Sequence, residues 1–118
     1  MAQEEKEEIR YISITEARAR KLDKFKMEGK IPSTNWAVKM GAAIGILTGR
    51  TGTARYKTGG RGHGVDIEAV DPQGLFRILV GKDIAQYARG GLDILIDGLE
   101  KGKSVFDIYQ KYFEGAQK

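Results

Sequence analysis

The sequence predicts a mainly α-helical domain with a short strand near its N-terminus and a small β-hairpin in its second half. Three observations predict it. Polar and apolar residues alternate through RYISIT, residues 10–15, as they do in a half-buried strand. Later stretches repeat apolar residues at helical spacing and open on residues that cap helices. Two runs of β-branched and aromatic residues, VDIEAV and LFRILV, flank the turn-forming DPQG.

In RYISIT, Ile12 and Ile14 share one side with Arg10, and Tyr11, Ser13 and Thr15 share the other. Thr15 is a good N-cap and Glu16 suits the positive end of a helix dipole, so a helix runs through EARARKLDKFKME and stops at Gly29. Its apolar stripe is thin: Ala19, Leu22 and Phe25. The opposite surface carries Arg20, Lys21 and Lys24, with Lys26 and Lys30 near the end. Pro32 breaks the chain, and Ser33, Thr34 or Asn35 caps a second helix with a stripe of Trp36, Met40, Ala43, Ile44 and Leu47. Gly41 and Gly45, one turn apart, weaken that helix and point to close approach of another helix or chain.

A basic, glycine-rich stretch, RTGTARYKTGGRGHG at 50–64, precedes the expected hairpin. From Asp83 a helix runs through IAQYARGGLDILIDGLEKG with Ile84, Tyr87 or Ala88, Gly91, Leu95 and Leu99 on one side. Gly90 and Gly91 predict a kink or a tight contact in its middle. Ser104 and Asp107 resemble a capping box and start a last helix with Val105, Phe106, Tyr109, Tyr112 and Phe113.

Charge is unevenly spread. Residues 1–9 sum to −3, 10–64 to +9 and 65–118 to −2, and between Glu28 and Asp66 there are six Lys/Arg and no acid. Such a block suits a polyanionic partner. The expected organisation is an acidic flexible N-terminus, 1–9, and one helical domain over 10–118 for nucleic-acid binding and oligomerisation. The polar, acidic opening residues predict no signal peptide, and no apolar run approaches the ~20 residues of a membrane span, so a cytoplasmic location is expected.

The absence of cysteine excludes a disulfide framework, an Fe–S cluster and thiol catalysis, and His63 as the one imidazole leaves too few ligands for structural zinc. The 50–64 stretch has the glycines of a phosphate cradle but neither G-x-x-x-x-G-K-[ST] nor G-x-G-x-x-G. Asp93 with Asp97, or Asp66, Glu68 and Asp71, could hold Mg²⁺, although surface solvation explains both sets better. Ser13 and Thr15 have no partner base in sequence. We therefore expect no catalytic residues, no cofactor and no metal. Glycine and arginine without acid also suit contact with a nucleic-acid backbone, through Arg50, Arg55, Lys57 and Arg61.

The strand-helix-helix order with a basic first helix makes the N-terminal half ribbon-helix-helix-like. In such units two chains pair their strands, and outward residues, here Tyr11, Ser13 and Thr15, enter the major groove. A transcriptional repressor of that kind is the alternative function, and a scaffold subunit that touches no DNA is a third.

Two stretches carry a family resemblance. ISITEARARKLDKFKMEGKI followed by STNWAVKMGAAIGI, and FRILVGKDIAQYARGGLDIL, together spanning about residues 11–99, resemble the DndE family. That family is the small subunit of the bacterial and archaeal DNA sulfur-modification system, which installs phosphorothioates in the DNA backbone. The resemblance implies an α-rich, non-enzymatic subunit that assembles as a homotetramer with other subunits of a modification complex. It also implies binding of duplex DNA, with a preference for nicked duplex, through clustered lysines, by position Lys21, Lys24, Lys26 and Lys30. The chain departs from the family pattern in having no cysteine in the Trp36 helix and no histidine- and arginine-rich ending.

Overall fold

In the computed structural model, which describes residues 11–52 and 62–111, the alternating N-terminal segment is strand β1 (Tyr11–Thr15). Ile12 and Ile14 are fully buried while Tyr11 is exposed. Thr15 ends the strand and caps helix α1 (Glu16–Met27), its hydroxyl accepting from the Arg18 backbone N–H. Ala19, Leu22 and Phe25 are buried, as their spacing requires, and the chain turns at Gly29 with φ +75°. Of the three candidate caps, Ser33 serves helix α2 (Thr34–Thr48), accepting from the Trp36 N–H at 3.1 Å.

Strand β2 (Gly62–Asp66) pairs antiparallel with β1, Ile12 opposite Val65 and Ile14 opposite His63. There follow α3 (Ile67–Val70), α4 (Leu75–Val80), a 3₁₀ turn at Gly81–Asp83, the long α5 (Ile84–Glu100) and α6 (Val105–Tyr109). The architecture is mainly helical with a short N-terminal strand and one two-stranded antiparallel sheet, as expected. The strands that pair are not the expected ones, however. Only Val65 and Asp66 of VDIEAV are strand; Asp66 then accepts from the Glu68 N–H and starts α3. LFRILV is a helix. The predicted turn does form, with the Gly74 N–H donating to the Asp71 carbonyl at 3.0 Å, but the buried Asp71 carboxylate then accepts the N–H groups of Phe76 and Arg77, both at 3.1 Å. Those two bonds cap a helix where a short apolar run alone cannot distinguish helix from strand.

The core is centred where α2 crosses α5. The predicted stripe of α2 is not its buried face. Ile44 is buried, but Trp36, Met40 and Ala43 are only half-buried and Leu47 is exposed. The buried face carries Ala37, Val38, Gly41, Ala42, Ile44 and Gly45. Its small residues let the two backbones touch. A Cβ at Gly41 would lie 2.8 Å from the Ala88 carbonyl oxygen, one at Gly45 would collide with the Tyr87 carbonyl, and one at Gly91 would lie 2.5 Å from the Gly45 nitrogen. The close approach expected of Gly41, Gly45, Gly90 and Gly91 is thus a contact within one chain. Ser104 and Asp107 form a complete capping box at α6. Tyr112 and Phe113 lie outside the described residues.

Candidate nucleic-acid interface

Helix geometry divides the four lysines assigned to DNA. Successive residues turn by about 100°, so Arg20, Lys21 and Lys24 project from one flank of α1, whereas Lys26 lies about 200° from Lys24 on another. All are exposed. Lys24 and Lys26 make no ion pair among the described residues. Lys21 Nζ lies 3.1 Å from Glu100 on α5, Arg20 bonds Glu16 at 2.9 Å, and Lys30 is 3.4 Å from Glu28 with its ammonium 5.6 Å from the Phe25 ring centre. The structure therefore brings Lys21 and Lys24 together on one flank and puts Lys26 on another, while Lys30, past the helix end, reaches Glu28, one turn beyond Lys24.

Arg50 follows α2 and joins Lys21 at a cleft of about 560 Å³ whose other cations are Lys101, Lys103 and Lys111. Sequence reasoning missed these three because they belong to the acidic C-terminal half, where a net count hides individual lysines. Arg55, Lys57 and Arg61 lie outside the described residues. The chain on either side of them is held close to β1. Arg89 donates to the Gly52 carbonyl at 3.1 Å and to the Ser13 carbonyl at 3.0 Å, and Gly62 pairs with Thr15.

Every carboxylate at the cleft has work within the fold. Asp93 takes a two-pronged bond from Arg18, Nε at 2.7 Å and Nη2 at 2.9 Å, which fastens α1 to α5. Asp97 pairs with Lys101 at 3.1 Å, and Glu100 with Lys21. Asp107 accepts from the Ser104 N–H at 3.0 Å; this bond, the Ser104 hydroxyl and nearby Lys103 hold its carboxyl below the usual range. Asp93 and Asp97, one candidate magnesium pair, are thus each bound to a cation. In the other candidate set, Asp66 and Asp71 cap helices. Among the described residues no group of three or more His, Cys, Asp or Glu could hold a metal ion.

Asp71 is the one buried charged residue among the described residues. Burial pushes its carboxyl up, but the Arg77 guanidinium at 3.0 Å and the N–H groups of Phe76 and Arg77 outweigh that and hold it below its usual value.

Tyr11, Ser13 and Thr15 do share the outward face of β1, as the ribbon alternative requires, with Gly64 opposite Ser13 and the Tyr11 ring lying along Gly64. The partner strand that alternative takes from a second chain is supplied here by the same chain. β2 covers β1, and α5 buries the apolar faces of the first two helices.

No family model, curated protein or solved structure matches the chain. No helix of the described residues is long and apolar enough to cross a membrane.

Proposed function

We propose that this protein is a non-enzymatic, cytoplasmic DNA-binding subunit of a DNA phosphorothioate-modification complex, holding duplex through its backbone phosphates and assembling as a homo-oligomer. The observation that carries the DNA reading is the exposed cationic surface of Arg20, Lys21 and Lys24 on α1, continued across the Lys21–Glu100 pair by Arg50, Lys101 and Lys103. The ion pairs on this surface do not argue against it. The Lys21–Glu100 pair is nearly half exposed on both sides, and such pairs contribute about 0–1 kcal/mol, so a phosphodiester can replace the carboxylate at little cost. The DndE resemblance over residues 11–99 adds the modification complex and the preference for nicked duplex.

The test is retention of intact and nicked duplex across a salt titration, with the mass of the assembly measured in parallel. Log affinity should fall linearly with log salt, and Lys21→Glu with Lys24→Glu should flatten the slope by about 0.9 per lost phosphate contact. Unchanged retention in that double variant at low salt would favour a scaffold that touches no DNA. The outward face of β1, with Tyr11 exposed and Ser13 and Thr15 half-buried, favours a second reading, a repressor. In that case one operator should outcompete unrelated duplex by a factor of ~10³ or more.

A further inference from the structure

We propose that the cleft between α1, the turn after α2, the C-terminal half of α5 and α6 is a binding site for a phosphorylated nucleoside, with the phosphate seated by Arg50 and Lys103. The proposal needs only that the cleft be open, and it stands or falls separately from duplex binding.

Of the cations around the cleft, Lys21 and Lys101 face Glu100 and Asp97 at 3.1 Å each. Neither Arg50 nor Lys103 makes an ion pair among the described residues; Lys103 acts through space on Asp107, whose carboxylate is already held by the Ser104 N–H. The remaining carboxylate, Asp93, is taken by the Arg18 fork. Arg50 and Lys103 are therefore two cations of the cleft whose charge no ion pair among the described residues compensates, and they line one concavity. An anion entering there meets donors without first breaking an ion pair.

The rest of the cleft narrows the class. Its volume of about 560 Å³ falls in the ~300–1,000 Å³ range of small-molecule sites, far more than an inorganic anion needs. Half-buried Ile94 presents an apolar wall, against which the flat face of a base can lie. Asp97 and Glu100, exposed and lining the cleft, keep free lone pairs beside their lysine partners to accept from sugar hydroxyl groups. Phosphate, hydroxyl-bearing sugar and planar apolar body are the three parts of a nucleotide. Free nucleotides and unpaired residues of a single strand share this chemistry.

The experiment titrates the full chain with adenosine 5′-monophosphate, with inorganic phosphate and with a short oligodeoxyadenylate, following backbone amide resonances. The expected result is that the mononucleotide shifts the amides of Gly98, Lys103 and Ile108. Arg50→Glu or Lys103→Glu should weaken it by about tenfold or more, Lys103→Arg should restore most of the affinity, and Lys82→Glu, exposed and outside the cleft, should leave it unchanged. Thermal melts of each variant guard against misfolding. Stronger binding of the mononucleotide than of the oligonucleotide identifies the free ligand as the source, and the reverse identifies a strand. Shifts absent from the cleft, shifts that survive both charge reversals, or equal binding of inorganic phosphate would overturn the proposal. Duplex retention with no mononucleotide binding sinks this site alone, and the opposite outcome sinks the DNA reading alone.

Discussion

Helix α5 turns two unlike faces to the rest of the molecule. On one, Gly91 brings its backbone against Gly41 and Gly45 of α2, with no side chain between. On the other, Asp93, Asp97 and Glu100 reach out to Arg18, Lys101 and Lys21. The first face tolerates nothing added, because any new atom must occupy space that backbone already fills. On the second, water or a ligand can take the place of most partners. A single helix thus divides the labour: its packed face holds the fold and its charged face is left to bind.

The sharpest way to break this contrast is to add one methyl group to the packed face. Gly91→Ala places a Cβ among the backbone atoms of Gly41 and Gly45, where neither helix can yield without separating. Overpacked sites typically lose 1–3 kcal/mol, and a clash with backbone lies at the upper end, so a loss of about 3 kcal/mol and a fall of about 10 °C or more in melting temperature are expected. A variant that melts within about 2 °C of the parent would show that the seam is looser than described.

Asp71 tests whether charge or exposure sets the weight of an ionic contact. It pairs with Arg77 just as Glu100 pairs with Lys21, but it is buried and also caps α4. Asp71→Ala leaves two helix N–H groups and a half-buried guanidinium without their acceptor and should cost about 2–3 kcal/mol in denaturant unfolding. The pH dependence has a definite sign. Asp71 is held below its usual value in the folded state, so its contribution is present above the unfolded carboxylate value of about 3.9 and is lost as pH falls through the lower folded value. The gap in stability between parent and variant should therefore be constant near neutrality and close only in strong acid. A gap already closing at pH 6 would contradict the assignment.

The same contrast decides what could be read from the sequence. Elements fixed by a local signal were legible: the alternation of Tyr11–Thr15, the Thr15 and Ser33 caps, and the Ser104–Asp107 box each act within a few residues. The glycines were legible as a demand for close approach, although not the partner that meets it, since Gly41 and Gly91 are brought together only by the fold. The expected hairpin failed because Asp71 acts at a distance of five and six residues on the N–H groups of LFRILV, overriding its β-branched composition. On the charged face, the lysines of α1 were visible as a run. Lys101, Lys103 and Lys111 were not, because spatial clustering across α5 and α6 leaves no mark on a count along the chain. The two-pronged Arg18–Asp93 bond joins residues 75 positions apart and had no sequence signal at all.

The smallest change is the most direct probe of the charged face. Glu100→Gln removes one carboxylate, leaves a side chain of nearly the same shape, and releases Lys21 from its 3.1 Å pair. Because both partners are nearly half exposed, stability should move by no more than about 0.5 kcal/mol, within the range of surface pairs. Binding should respond in the opposite proportion. A released ammonium beside Lys24 and Arg50 no longer has to exchange a carboxylate for a phosphate, and the surface loses one negative charge, so duplex affinity at low salt should rise severalfold. If stability instead fell by as much as in Asp71→Ala, the pair would be part of the scaffold. Exposure would then not separate the contacts that hold this fold from those left free to bind.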